Sequence, residues 1–153
     1  MLIPRVLIFL KRGNSVLLLK GAPTKRLWAG KYNGVGGHVE AGEDILSAAQ
    51  RELLEETGLS ADLWLCGTVT VETGENPGIG IFVFTGDCPE GQAVGAEEGS
   101  LEWVPYSGIA FLPVVEDLPA LLERIRGWHS GERPFSVHSS YDAEGKLTLK
   151  FAG

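Results

Sequence analysis

Three glutamates, Glu52, Glu55 and Glu56, fall within five residues of one another in the stretch GHVEAGEDILSAAQRELLEETGL, residues 37–59. On a helix turning about 100° per residue their carboxylates share roughly a 100° arc of one face. Two chemistries are open to such a face. As a solvated surface it is tolerable, because like charges at this spacing cost only about 0.2 to 0.5 kcal/mol per pair in open water. In a sheltered cleft, with an effective dielectric near 20 and separations of roughly 6 Å, each pair repels by about 3 kcal/mol, so a divalent cation or a proton is required. Three oxygen ligands suit a hard cation, Mg²⁺ or Mn²⁺.

Those carboxylates need a helix to hold them and a backbone to face them. Asp44 is placed to cap a helix that ends at Gly58, and Ile45, Leu46, Ala49 and Leu53 form an apolar stripe beside the acidic arc. Just before it, Asn33-Gly34-Val35-Gly36-Gly37 lets main chain come close to whatever the glutamates hold, since no Cβ intervenes at the glycines. The preceding loop, Gly21 to Lys31, carries Lys25, Arg26 and Lys31 around Trp28, an arm suited to a phosphate-bearing ligand.

Around this centre the chain reads as alternating strands and helices. Arg5–Lys11 and Ser15–Lys20 form a hairpin across Gly13-Asn14, and their continuous apolar runs suit strands covered on both faces. Leu63–Glu72 and Gly78–Thr85 are two further strands joined by the turn at residues 74–78. A polar loop, Gly86–Gly99, leads to a strand at Leu101–Val104, a second helix over Val115–Arg126, and a closing hairpin of Phe135–Tyr141 and Lys146–Phe151. No repeat, linker or low-complexity segment interrupts this order, so residues 1–153 are expected to form one domain. Trp64 and Trp103 fall in strands and read as core, whereas Trp28, Tyr32 and Phe82 are placed to stack on a planar ligand.

Composition narrows the partners. A net charge of −7 opposes non-specific binding to DNA, RNA or an anionic membrane, so an anionic substrate must be held by a metal and local cations. The apolar N-terminal run is short and broken by Pro4 and Arg5, unlike a targeting segment, and nothing reaches the 18 or so apolar residues of a span. Cys66 and Cys88 sit in apolar, strand-like surroundings and read as buried free thiols, which suits a reducing cytoplasm. His129 and His138 have no histidine or cysteine partner at metal spacing. The sequence carries no signal for oligomeric state.

The spacing around the glutamates is specific. From Gly37, five residues lead to Glu43 and seven more to Arg51-Glu52, then Leu53, Glu55-Glu56, Gly58 and Leu59. Every defined position of the Nudix box is present, and nine constrained positions make a chance match very improbable. The chain therefore resembles the Nudix hydrolases, the box covering 23 of 153 residues and the flanking segments also following the superfamily.

That resemblance implies an α/β/α sandwich with a mixed β-sheet. It also implies a metal-dependent attack of water on a nucleoside diphosphate linked to another group. Carried over residue by residue, Glu52, Glu55 and Glu56 are the metal carboxylates, joined by the carbonyl of Gly36 or Gly37, with Glu43 and Arg51 positioning them. The general base is Glu52 or a glutamate of the Gly86–Gly99 loop, Glu97 or Glu98. Arg26, Lys31 and Asn33 are the substrate-binding candidates, and His38, at an unconstrained box position, reads as an ordinary residue in preference to a phosphate contact.

The segment around Asn33 is similar to MutT-type nucleoside triphosphate pyrophosphohydrolases, including those acting on oxidised purines. In the animal members an asparagine at the place of Asn33 reads the base. Those enzymes follow an aromatic-Pro pair directly with two aspartates that read the purine edge. Here Leu112-Pro113 is followed by Val114-Val115, and the acids come later, at Glu116-Asp117. ADP-ribose and dinucleoside polyphosphate hydrolysis are the competing activities, and a nucleotide-sensing module that does not cleave is the alternative from another class.

Overall fold

Leu2–Arg12 (β1) is an eleven-residue strand whose alternate side chains serve two different cores. Val6, Ile8 and Leu10 belong to one buried cluster and Leu7 and Phe9 to the other, as the period of two in a strand requires. The computed structural model describes residues 1–23, 29–95 and 99–153. Among them the strands β2 (Ser15–Gly21), β3 (Tyr32–Asn33), β4 (Val35–His38), β5 (Trp64–Val71), β6 (Gly78–Asp87), β7 (Gly99–Pro105), β8 (Phe135–Tyr141) and β9 (Leu147–Phe151) join β1 in one mixed sheet. Two α-helices, α1 (Ile45–Thr57) and α2 (Leu118–Arg126), and a 3-10 helix at Tyr106–Phe111 complete the chain. A mixed sheet with one α-helix on each face is the expected α/β/α sandwich.

The main path through the sheet is β3-β2-β1-β6-β5-β8-β9, with β4 on β1 and β7 on β2. β1 runs parallel to β6 from Leu2–Gly78 to Lys11–Asp87. Its other edge is shared: Arg5 to Ile8 pair with His38 to Val35 of β4, and Lys11 and Arg12 with Val16 and Ser15 of β2. The Nudix box thus begins as a strand stitched to the centre of the sheet. On one face Ala48, Ala49 and Leu53 of α1 cover Val6, Ile8, Leu17 and Phe84. On the other, Leu118, Leu121, Leu122 and Ile125 of α2 cover Phe9, Val69, Val83 and Val137.

Three expectations need correction. Leu46 is 43% exposed, and Ala48 takes its place in the stripe, so the apolar face of α1 is narrower than the sequence pattern. Trp64 is 44% exposed at the start of β5, a single apolar residue outside both cores. The second helix begins at Leu118 rather than Val115, because residues 113–115 are committed to Tyr32: its N–H donates to the Pro113 carbonyl (2.8 Å) and its carbonyl accepts from Val115 N–H (3.1 Å). Pro119 then suits the first helical turn. The glycine-rich segment before α1 forms the two short strands β3 and β4, on either side of Gly34, which its composition hides. Cys66 and Cys88 are buried free thiols, and burial pushes the Cys66 thiol up to about 12.

Candidate active site

The acidic helix starts and stops where its residues dictate. Ser47 donates both its N–H and its hydroxyl to the Asp44 carboxylate (2.8 and 2.7 Å), closing the first turn and holding that carboxyl below its usual range. At the other end Gly58, at φ 72°, takes the left-handed conformation that only glycine adopts without penalty, and its N–H bonds the Leu54 carbonyl. Thirteen residues between these caps fix the angular positions of Arg51, Glu52, Glu55 and Glu56.

Arg51 organises the acids. Its Nε and Nη2 donate to the two oxygens of Glu43 (2.7 and 2.9 Å), a two-pronged grip, and Nη2 also donates to the His38 carbonyl (3.1 Å). Its remaining nitrogen, Nη1, donates to Glu52 (2.9 Å) and Glu55 (3.2 Å), with Glu40 at 3.7 Å. Glu43 is held well below the ordinary glutamate range by that guanidinium and by the Glu40 N–H, and the arginine in turn is pushed further up. One cation thus spans four acidic side chains and ties the loop before α1 to the helix.

The three metal candidates differ in shelter. Glu56 is buried, the Glu52 side chain is 13% exposed, and the Glu55 side chain is 58% exposed at the solvent edge. The Glu52 carboxylate lies against the main chain of Gly37, where a Cβ would run into it. Gly36 and Gly37 stand opposite Leu7 and Val6 in the sheet. Carboxylates of graded exposure beside bare backbone are the donor chemistry of a hard divalent ion, and these residues could hold one. Among the described residues no three acidic, histidine or cysteine side chains form a ready-made cluster. Arg51 stands between Glu52 and Glu55 and balances their charge.

A second feature lies beside the box. A cavity of about 300 Å³ opens on the sheet face that carries α2, past the end of that helix's cover. Its floor is aliphatic, with Leu7, Val71 and Ile81 from three strands, and Tyr141 and Leu147 of the C-terminal hairpin form a wall. Arg5, Lys31, Asn33, Glu116 and Asp117 supply its charge and polarity, and Gly36 connects it to the acidic helix. Burial raises the Asp117 carboxyl above its ordinary value. The Asn33 side-chain oxygen accepts from Gly34 N–H (2.8 Å), which leaves its NH₂ as the group available to a ligand.

Of the residues singled out from sequence, Glu43, Glu52 and Glu55 are joined through Arg51, Gly37 lies against Glu52, and Glu56 and Gly36 belong to the same helix and strand. Lys31 and Asn33 lie in the cavity instead. Arg26, with Lys25 and Trp28, and Glu98, with Glu97, lie outside the described residues. Tyr32 is not a stacking surface: it is buried in the α2-side core, with its hydroxyl donated to Glu102 (2.6 Å), which raises its pKa. Phe82 packs on the α1-side cluster, away from the cavity. His129 pairs with Glu132, and His138 with Thr70 and Glu72, both at the surface. Sequence reasoning passed over Arg5, although a lone charge inside an apolar strand, on the same face as Leu7 and Phe9, was a readable signal.

The family profile of the NUDIX domain matches residues 1–125. An oxidized purine nucleoside triphosphate hydrolase of Danio rerio is 36% identical over 115 residues, covering 71% of this chain and 74% of the relative. Among solved structures, a MutT protein of Bacillus halodurans superposes with a TM-score of 0.80 at 23% identity, over 98% of this chain and 97% of that one. The NUDIX domain of Shewanella oneidensis NrtR, solved with ADP ribose, gives 0.68 at 18% identity, over 82% of this chain and 87% of that one.

Proposed function

We propose that this chain, which belongs to the Nudix hydrolase family, is a divalent-metal-dependent enzyme that cleaves purine nucleoside triphosphates, oxidised ones among them, to the monophosphate and pyrophosphate. The reading takes residues 1–153 as one catalytic unit, since β8 pairs with β5 and the C-terminal hairpin walls the cavity. The observation that carries it is the junction at Gly36: a cavity large enough for a base on one side and the sheltered carboxylates on the other. A nucleotide laid across that junction has its base between Asn33 and the Glu116-Asp117 pair, and its phosphates directed at Gly37 and the helix.

In this reading Glu52, Glu55, Glu56 and the backbone of Gly36 or Gly37 hold Mg²⁺ or Mn²⁺. When bound, such an ion neutralises diphosphate oxygens and makes a coordinated water easier to deprotonate. The chain's own residues do the rest. Glu43 clamps Arg51, and Arg51 sets the direction of the Glu52 and Glu55 carboxylates, so the acids are in place before substrate arrives. Glu52, sheltered against Gly37, is one base for the attacking water, and Glu97 or Glu98 is the other candidate. Lys31, exposed at the cavity rim, and Arg26 supply positive charge for the phosphate chain.

The closeness to the Danio rerio hydrolase supports triphosphates over ADP-ribose. A panel of dNTPs, 8-oxo-dGTP, ADP-ribose, diadenosine polyphosphates and NADH, with Mg²⁺ and then Mn²⁺, tests it by ion-exchange separation of products. Monophosphate and pyrophosphate from a purine triphosphate are the expected result, and ADP-ribose as the sole good substrate overturns it.

A further inference from the structure

Arg5 is an uncommitted cation. Its backbone is locked in β1, between His38 of β4 and Ile81 of β6, and its side chain is half-buried on the cavity wall. Among the described residues its guanidinium makes no hydrogen bond, ion pair or ring contact. That is unusual for an arginine surrounded by Leu7, Ile79 and Ile81, because a partly desolvated guanidinium with five donors ordinarily finds an acceptor. The other arginines of the described strands and helices are all engaged: Arg12 donates to the carbonyls of Cys88 and Gly91 (2.8 Å each), Arg51 grips Glu43, and Arg124 and Arg126 lie over the rings of Phe151 and Tyr106. Arg5 therefore has donors to spare for a ligand in the cavity.

The polar groups around that cavity are not interchangeable. Arg5 and the Asn33 NH₂ are donors, and the Glu116 and Asp117 carboxylates are acceptors when ionised. We infer that Arg5 is a base-reading residue that selects 6-oxopurines, because a guanine-type base offers acceptors along one edge and N–H donors along another, matching a cavity with donors and acceptors on separate segments. An arginine fork is well suited to the O6 side of such a base, whereas the adenine edge replaces that oxygen with an NH₂ donor, which the guanidinium repels. Arg5 also lies on the sheet face opposite the one covered by the acidic helix, since its row includes Leu7 and Phe9 of the α2-side core. It is thus a specificity residue, separate from the machinery that positions the carboxylates.

This inference rests on the triphosphate reading, and its test keeps the two apart. Arg5→Met and Arg5→Lys are compared with the wild type for kcat/KM on dGTP, 8-oxo-dGTP and dATP. Binding of dGMP and dAMP is titrated calorimetrically in EDTA, where no metal or turnover enters, and circular dichroism melting checks that each variant is folded. Loss of one forked contact is expected to lower kcat/KM for the two guanine-type substrates by about 10- to 100-fold in Arg5→Met, with dATP changed by less than about threefold. dGMP binding should weaken in parallel, and Arg5→Lys should recover only part of the preference because it keeps the charge and loses the fork. Equal losses on all three substrates, or an unchanged guanine-to-adenine ratio in both activity and binding, overturn the inference while leaving triphosphate hydrolysis intact. A wild type that cleaves no triphosphate overturns the reading beneath it.

Discussion

Two arginines mark the two halves of the site, and they are in opposite states. Arg51 has every donor face occupied by groups between His38 and Glu55, so its surroundings are a closed circuit within one short stretch of chain. Arg5 has none occupied, and the residues that share its cavity come from β1, β2, β3, β4, β5, β6, β8, β9 and the segment before α2. The first region is pre-organised for one kind of chemistry, because positioning costs met within the folded protein are not met again at each turnover. The second is left unsatisfied, and a ligand completes it. On the reading proposed for this site, reaction and selectivity fall to different physical regimes within one sheet.

The hardest blow to that division falls on the closed half. Glu52→Gln and Glu56→Gln should each lower turnover by at least about two orders of magnitude at saturating Mg²⁺. A steady-state assay showing either variant at wild-type rate would place the reaction elsewhere. Arg51→Gln should cost roughly 10- to 100-fold, as expected for a group that only holds ligands in place. Its loss should appear in kcat for every nucleotide alike, with a lowered melting temperature, since the Glu43 grip goes too. A base-dependent loss in Arg51→Gln would blur the boundary between the two regions.

Smaller effects belong to the open half. Asp117→Asn should shift the KM for purine substrates by about tenfold and leave kcat near wild type. It carries a stability signature as well. Burial raises the folded-state pKa of Asp117, so its charged form is a destabilising feature above that pKa and is relieved as the pH falls through it. An asparagine is neutral throughout, so the variant should melt higher than the wild type at neutral pH, and the gap should close on acidification toward the carboxylate range. A gap that widens in acid would contradict the assignment.

What was legible in the sequence follows the same line. The box could be read because its constraints are local: helix caps, i to i+4 spacing and glycine approach all act within 23 residues. Leu46 was misjudged because an apolar stripe gives a helix face but not the width of sheet beneath it. The late start of α2 was hidden because Val114 and Val115 suit a helix face by pattern, and only pairing with Tyr32, more than eighty residues earlier, draws them away. Asn33 was found through the likeness of the segment Lys31–Glu40 to MutT-type enzymes, whose animal members carry an asparagine at that place. Arg5 acquires meaning only once Asn33 and Asp117 are seen on the same cavity, a relation that exists in space and not in spacing.

The four-residue interval from Asn33 to Gly37 acts as a ruler. Those two positions sit on one run of backbone, pinned to β2 at one end and β1 at the other, so they lie no more than about 14 Å apart. On the reading proposed for this site, one end grips the base and the other faces the bond that is cut. Which phosphorus receives water is then a matter of length, set by main chain that side-chain substitution barely alters. An inserted residue would lengthen the interval by about 3.4 Å and turn its neighbours to the opposite face. On that same reading, the choice between releasing pyrophosphate and releasing a single phosphate is set by a residue count between two glycine-flanked strands.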